Sequence, residues 1–181
     1  SVFLYEPSNL SAYLSVVDVS CNGGNDGTAS VITVLGGSGG YIYSWSNGQS
    51  TAIATGLISG NYTCTVTDVN GCTVTSAPIF VGQAPAISST EIITDVSCNS
   101  GTNGTATLTL SGGTGPLIVN WFGMDPNALP AGIHSYSVTD LNGCTYVDDV
   151  TINEPFEIIV IESITDVSCN SGTNGTATLT L

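Results

Sequence analysis

Apolar and polar residues alternate over short stretches of the chain, and turn-forming residues separate these stretches. In residues 105–110, Thr alternates with Ala106, Leu108 and Leu110, a period of two that predicts a half-buried strand. The counterpart at 28–35 holds one residue more before its Gly-Gly pair, which predicts a β-bulge. No stretch of useful length follows the helical period of 3.6 residues. The chain is therefore predicted to be all-β.

The motif Asp-x-Asn-Gly-Cys occurs twice, at 68–72 and 140–144. Each copy follows an alternating stretch, 62–67 or 134–139, that is predicted to be a strand. Asn-Gly favours a tight hairpin because both residues tolerate positive φ. About seven short strands in a unit of 70-odd residues are typical of an immunoglobulin-like β-sandwich.

A long segment of the chain is repeated. Residues 91–110 return at 162–181 with 19 of 20 positions identical, and a looser copy stands at 18–34. Such self-similarity predicts an elongated tandem array of immunoglobulin-like β-sandwich repeats. The predicted boundaries are 1–7 for the last strand of a preceding repeat, 8–85 and 86–155 for two full repeats, and 156–181 for the start of a further, truncated repeat.

The segment 45–72, WSNGQSTAIATGLISGNYTCTVTDVNGC, resembles the SprB repeat of large Bacteroidetes surface proteins. The second copy keeps Trp121 and the stretch 137–144, but 122–126 replaces the Ser-Asn-Gly turn. The resemblance implies an adhesin of the gliding-motility type, exported by the type IX secretion system, and it implies no catalysis. We expect a structural and adhesive stalk on the cell surface. The alternatives are a self-assembling filament subunit that uses edge-strand complementation, and a carbohydrate-binding module.

The charge of the chain narrows the possible partners. It contains no Lys or Arg and 14 acidic residues, for a formal net charge of −14. Nucleic acid and anionic membranes are poor partners for such a chain, and no apolar run is long enough for membrane insertion. His134 is the single histidine, so a catalytic constellation lacks most of its parts. The expected partners are neighbouring repeats, other copies in a fibre, and surface glycans.

Cys21, Cys72, Cys98 and Cys144 occupy repeated positions, one before the first turn and one after the last hairpin of each full repeat. They are predicted to form structural disulfides, which favours an oxidising, extracellular location. Pairing within a repeat is the preferred expectation, since one pair per module also serves a single module. In a standard immunoglobulin topology, however, these turns lie at opposite poles. Bridges between neighbouring repeats, such as Cys21 to Cys144, are therefore the alternative.

Two further features are interpreted by comparing equivalent positions of the two repeats. Tyr41, Tyr43 and Trp45 share one strand face and could stack a sugar, but the sister residues Leu117, Val119 and Trp121 favour a core face. Cys64 stands where the other repeat has Tyr136, which predicts a buried free thiol.

Oxygen-bearing side chains cluster at two predicted turns. They are Asp18, Asn22, Asn25 and Asp26 at one turn, and Asp68 and Asn70 at the other. Weak Ca²⁺ binding is one interpretation, because Ca²⁺ takes several oxygen ligands. Asp26 becomes Asn103 and Asn174 in the other copies, which reduces the charge of the site. Ordinary turn chemistry is therefore preferred, and no cofactor is expected.

Overall fold

A computed structural model describes residues 8–181. The predicted strand at 1–7 lies outside the described residues. The chain divides into two compact units. The first comprises the residues up to Thr90 with Thr109–Asn120 and Ser137–Val147, and the second comprises Glu91–Leu108, Trp121–Tyr136 and Asp148–Leu181. These units do not follow the self-similarity of the sequence, and the repeat boundaries stay a prediction.

The fold is all-β, as predicted, with fifteen strands and no helix among residues 8–181. The strands are β1 (Ser11–Val17), β2 (Gly27–Leu35), β3 (Ile42–Trp45), β4 (Ile53–Leu57), β5 (Gly60–Tyr62), β6 (Cys64–Thr67), β7 (Thr73–Thr75), β8 (Ile79–Val81), β9 (Ser88–Thr94), β10 (Thr105–Ser111), β11 (Ile118–Asn120), β12 (Gly132–Thr139), β13 (Thr145–Ile152), β14 (Ile161–Thr165) and β15 (Thr176–Thr180). The described part of the chain has no helix that could span a membrane.

Three small antiparallel sheets build the first repeat, in the orders β1-β2-β4, β3-β6-β7 and β5-β8. The predicted bulge is confirmed in β2. Tyr13 pairs with Thr33 and Leu14 with Val31, so Ile32 is the extra residue. Its side chain is 62% exposed, because the bulge turns it away from the alternation of its neighbours.

Inward-facing residues of these sheets form one apolar core. Its fully buried members are Val19, Ala29, Trp45, Ala54, Leu57, Cys64, Val66 and Val81. Strand alternation explains the set, since the buried residues of β6 are Cys64 and Val66 while Thr65 and Thr67 are only half-buried. Sheets with one buried face and one exposed face are consistent with a β-sandwich-type domain.

The segment 86–155 repeats the same pairing with fewer, longer strands. Its sheets have the orders β9-β10 and β11-β12-β13, and β14-β15 form a further pair. The pairing of Gly27 with Leu57 in the first repeat has its counterpart in the bridge between Gly104 and Leu129. The correspondence of individual contacts extends the sequence repeat to the backbone.

Two glycines in the turn after β2 test how closely this turn packs against the backbone of Ser8 and Asn9. Gly36 and Gly39 both have φ +76°, but a Cβ at Gly36 would lie 2.1 Å from Asn9 O, whereas a Cβ at Gly39 meets nothing within 4 Å. Gly39→Ala should cost about 1–2 kcal/mol from the left-handed backbone alone. Gly36→Ala should cost more than about 3 kcal/mol, because the backbones must also separate. Urea denaturation measures both values, and equal losses would contradict the close approach.

Candidate cross-linking site

Three turns of the chain present a cysteine in the same way. We call residues 18–26, 95–103 and 166–174 the first-cysteine turns, with Cys21, Cys98 and Cys169 at equivalent positions. In each, the carbonyl oxygen of the cysteine accepts a hydrogen bond from the glycine N–H three residues later, at 2.9–3.0 Å. The serine before each cysteine donates its N–H to the side chain that ends the turn, at 3.0–3.1 Å. That side chain is Asp26, Asn103 or Asn174.

The first-cysteine turns also share a backbone conformation. Gly23 has φ +71°, and its counterparts Ser100 and Ser171 have φ +58° and +61°. Such values are uncommon for a residue with a Cβ, so the surrounding hydrogen bonds must hold the turn. In the first repeat, Gly23 N donates to Gln83 Oε1 at 2.9 Å, and in the second, Ser100 N donates to Glu154 Oε2 at 2.7 Å. These contacts fix the turn to the end of its own repeat.

Two further turns, 68–72 and 140–144, are called the second-cysteine turns. In the second of them, Asp140 Oδ1 accepts the N–H groups of Asn142 and Cys144, both at 2.9 Å, and Oδ2 accepts Thr114 N at 2.9 Å. Asp68 accepts from Asn70, Cys72 and Ser38 at 2.9–3.0 Å. One aspartate therefore ties each second-cysteine turn to the Gly-rich turn that follows β2 or β10.

These hydrogen bonds set the charge state of the two aspartates. Burial acts to raise the pKa of Asp140, but the hydrogen bonds from backbone N–H groups, that of Cys144 first, outweigh it and hold the pKa below its ordinary value. The pKa of Asp68 is lowered by the same balance, with the Cys72 N–H contributing most against burial. Asp68 and Asp140 are 4% and 5% exposed as whole residues, and backbone N–H donors stabilise the ionised form of each.

Cys21 and Cys144 form a disulfide, with their Cα atoms 5.6 Å apart and a sequence separation of 123. The expected pairing within each repeat is wrong for both residues, and the alternative between neighbouring repeats is the one found. Cys72 and Cys98 are exposed thiols, as is Cys169. The bonded cysteines both belong to the first unit.

Strand β2 explains why a pair within one repeat does not form. The first-cysteine turn ends at Asp26, directly before β2, whereas the second-cysteine turn is hydrogen-bonded to Ser38, three residues after the end of β2. The nine residues of β2 extend over about 30 Å at 3.3 Å per residue. Bridged cysteines need Cα atoms within about 7 Å. The strand thus holds Cys21 and Cys72 too far apart to bond.

Two polar contacts accompany the disulfide. Asn142 Nδ2 donates to Ser20 O at 3.0 Å, beside the bridge. The linker between the repeats is held as well, because Gly113 N donates to Pro85 O at 3.0 Å and a Cβ at Gly112 would lie 1.8 Å from Ala86 O. The covalent link is therefore part of a packed junction within the first unit.

The aromatic face proposed as a sugar platform belongs to the core. Trp45 is 2% exposed and donates its Nε1–H to Thr51 O at 2.8 Å. Tyr41 and Tyr43 pack against the same core, which agrees with the aliphatic residues at their sister positions. A buried indole cannot stack on a sugar, so this face does not provide the platform.

The other candidate residues take structural positions. Cys64 is a buried free thiol, as predicted, and burial raises its pKa. Its counterpart Tyr136 is equally buried, with its ring centroid 5.0 Å from that of Trp121 and its hydroxyl donating to Glu91 Oε1 at 2.5 Å. His134 Nε2 lies 2.8 Å from Pro130 O.

Most of the residues considered for Ca²⁺ bond to protein groups. Asp18 Oδ1 accepts Gly82 N at 2.7 Å, and Asn22 Nδ2 donates to Ala84 O at 3.2 Å. Asp26 accepts both the N–H and the hydroxyl of Ser20, and these hydrogen bonds lower its pKa. Residues 8–181 contain no group of three or more His, Cys, Asp or Glu side chains that could hold a metal ion.

Sequence reasoning did not identify Gln83 and Glu154, although they hold the first-cysteine turns to the ends of their repeats. Their position offers a signal, because each stands one residue before the last Ala-Pro or Pro of its repeat and both carry a side-chain oxygen. Ser20 accepts the hydrogen bond from Asn142 through its backbone carbonyl. Every residue has a backbone carbonyl, so the sequence gives no signal for this contact.

Comparison with known families agrees with the repeat seen in sequence and structure. Two segments, residues 14–50 and 90–116, match the family model of the SprB repeat. The resemblance noted in the sequence is therefore confirmed. This family is a structural repeat and not an enzyme family. No curated protein sequence matches the chain.

The lowered pKa values predict how stability responds to acid. A carboxylate with a depressed folded-state pKa contributes stability above the unfolded pKa, about 4, and that stability is lost as the pH falls through the folded value. Asp140→Asn should therefore lower Tm at pH 7, and its difference from wild type should shrink as the pH is brought below 4. Asp149→Asn, at an exposed position, is the control. A difference that stays constant with pH would contradict a role for the charge.

Removal of the disulfide should destabilise the first unit. Cys144→Ser should lower the free energy of unfolding by about 2–5 kcal/mol, because the bridge closes a long loop in the unfolded chain. Cys72→Ser, in the equivalent turn but without a bond, should change it by less than about 0.5 kcal/mol. Urea denaturation without reductant measures both. Equal effects would show that the bridge does not constrain the chain.

Proposed function

Because the chain carries SprB repeats, we propose that it is a load-bearing, non-enzymatic segment of a structural and adhesive cell-surface protein. The SprB repeat indicates a repeat segment of a large cell-surface protein. The observation that supports load-bearing is the disulfide between Cys21 and Cys144. A disulfide of this kind is typical of proteins that work in an oxidising, extracellular location.

The bridge gives tension a covalent route through the chain. A force applied before Cys21 and after Cys144 passes through the S–S bond, because the bond is the shorter path between the two residues. The enclosed segment, most of both full repeats, then carries no load. Hydrogen bonds and apolar packing inside the loop stay intact at forces that would otherwise pull the strands apart. A segment with this property resists extension without needing a large core.

The composition supports an exposed position. A net charge of −14 without any Lys or Arg keeps the surface soluble and leaves no cleavage site for proteases that require these residues. Adhesion, a role in gliding motility and export by the type IX system stay predictions from the family resemblance. Surface exposure of the native protein is tested by labelling intact cells with an antibody raised against this chain, and labelling only after lysis would contradict the proposed location.

Single-molecule stretching between the two chain ends tests load-bearing directly. The oxidised chain should extend about 440 Å less than the reduced chain, because 123 residues at about 3.6 Å each stay inside the loop. Cys144→Ser should behave like the reduced chain under all conditions. Cys72→Ser should behave like wild type. Equal extension of the oxidised and reduced wild-type chains would overturn the proposal.

A further inference from the structure

One disulfide between neighbouring repeats is present in the chain. Three further cysteines, in turns equivalent to those of the bonded pair, are free thiols. Cys21, in a first-cysteine turn, is bonded to Cys144, in the second-cysteine turn of the next repeat. Cys98 and Cys169 occupy first-cysteine turns and Cys72 a second-cysteine turn, and all three are exposed. We propose that every repeat is bonded to its neighbour by the same rule. Cys98 and Cys169 then bond the second cysteine of the following repeat, and Cys72 bonds the first cysteine of the preceding one.

The unbonded first-cysteine turns have the geometry of the bonded one. Ser20 N donates to the side chain of Asp26 at 3.0 Å, and Ser97 N and Ser168 N donate to Asn103 and Asn174 at 3.1 and 3.0 Å. The hydrogen bond to the carbonyl of Cys21 is 3.0 Å long, and those to Cys98 and Cys169 are 3.0 and 2.9 Å. The turn takes this form without a disulfide. Cys98 and Cys169 are therefore held by the same hydrogen bonds as Cys21.

The second-cysteine turns match as closely. Cys72 N donates to Asp68 Oδ1 at 2.9 Å, as Cys144 N does to Asp140 Oδ1. The one difference concerns the asparagine that stands between the aspartate and the cysteine of each turn. Asn142 reaches across the bridge to Ser20 O at 3.0 Å, whereas its equivalent Asn70 donates to Ser38 Oγ at 2.7 Å in its own repeat. This amide differs where a neighbour is bonded, as expected of a side chain that contributes to the junction.

Other pairings do not meet the conditions of the bonded pair. Cys144, the second cysteine in the repeat of Cys98, is already bonded. Cys64 is fully buried on β6 and belongs to neither kind of turn. A bond from Cys98 to Cys72 would reverse the order seen for Cys21 and Cys144, in which the second cysteine comes from the following repeat.

Bond formation is an ordinary thiol oxidation. Two S–H bonds break, one S–S bond forms, and two protons and two electrons leave the pair. A protein or small-molecule disulfide takes up the electrons by thiol–disulfide exchange and is itself reduced to two thiols. The exposure of Cys72, Cys98 and Cys169 permits this exchange.

The rule makes neighbouring loops overlap. Cys98 lies inside the loop that Cys21 and Cys144 close, so the loop that begins at Cys98 starts before the previous one has ended. Residues 98–144 are thus enclosed by two loops. Breakage of one disulfide leaves these residues inside the other loop, and they lose that enclosure only where both bonds are broken. This proposal requires the tandem array of the proposed function but not its load-bearing role.

Disulfide mapping of the native full-length protein tests the rule. The protein is blocked with N-ethylmaleimide before lysis and cleaved before aspartate, since trypsin has no site in this chain. Such cleavage separates all six cysteines, with Cys21 in 18–25, Cys64 in 26–67, Cys72 in 68–94, Cys98 in 95–124, Cys144 in 140–147 and Cys169 in the peptide that begins at Asp166. Peptide 95–124 should be linked to an Asp-x-Asn-Gly-Cys peptide other than 68–94 and 140–147, and reduction should release it. Peptide 26–67 is the control, and it should react with the reagent only after denaturation.

Several results would overturn the proposal. The first is a Cys98 peptide modified by N-ethylmaleimide, and the second is a Cys98 peptide linked to 68–94. The third is a protein whose mass falls on reduction, because its disulfides join separate chains. Cys72→Ser in the native protein gives an independent reading, because it should create one new reactive thiol, on the first cysteine of the preceding repeat, and leave the bond between Cys21 and Cys144 in place. Loss of a reactive thiol instead would show that Cys72 was free. Both readings are independent of the stretching response.

Discussion

The carboxylates of this chain must be stabilised by N–H and O–H donors, because no Lys or Arg is present to pair with them. Asp68 and Asp140 each collect three backbone N–H groups, and Asp95 accepts from Asn153 N at 2.8 Å. No side-chain N or O buried within residues 8–181 lacks a hydrogen-bond partner. Since each donor lies on a specific turn or strand end, satisfying the charge also fixes the local backbone. The acidic side chains therefore fix the backbone of the turns in which they lie.

This arrangement connects electrostatics to the covalent link. The aspartate that begins a second-cysteine turn holds the N–H of the cysteine at its end, so the position of the thiol follows from the position of the carboxylate. On the other side of the bridge, Asp26 or its asparagine equivalents hold the first-cysteine turn through the serine N–H. An amide can replace the carboxylate there because it supplies the same acceptor oxygen. The equivalent residues Asp26, Asn103 and Asn174 therefore keep the same hydrogen-bond geometry although their charge differs.

Small repeats bury modest cores, and this chain adds the repulsion of a net charge of −14. Ion pairs with Lys or Arg cannot offset that repulsion. A disulfide can, since it destabilises the unfolded chain irrespective of charge. Its placement between repeats, instead of within one, extends the constraint to the linker at Pro85 and Ala86. The stability of one repeat is thus coupled to the presence of the next, which suits a protein built as an array and would be a disadvantage for a single domain.

The sequence by itself determined the all-β fold, the bulge in β2, the Asn-Gly hairpins, the buried thiol of Cys64 and the core position of Trp45, because these follow from alternation, turn chemistry and comparison of equivalent residues. Those signals are local, or they come from comparing equivalent positions of the two full repeats. The partner of Cys21 is different, since it depends on the length of β2 and on the fold of two repeats around a linker, and every candidate cysteine carries the same sequence signature. Only the tertiary structure decided that pairing, because a disulfide forms between the cysteines that the backbone brings within bonding distance, however far apart they stand in sequence.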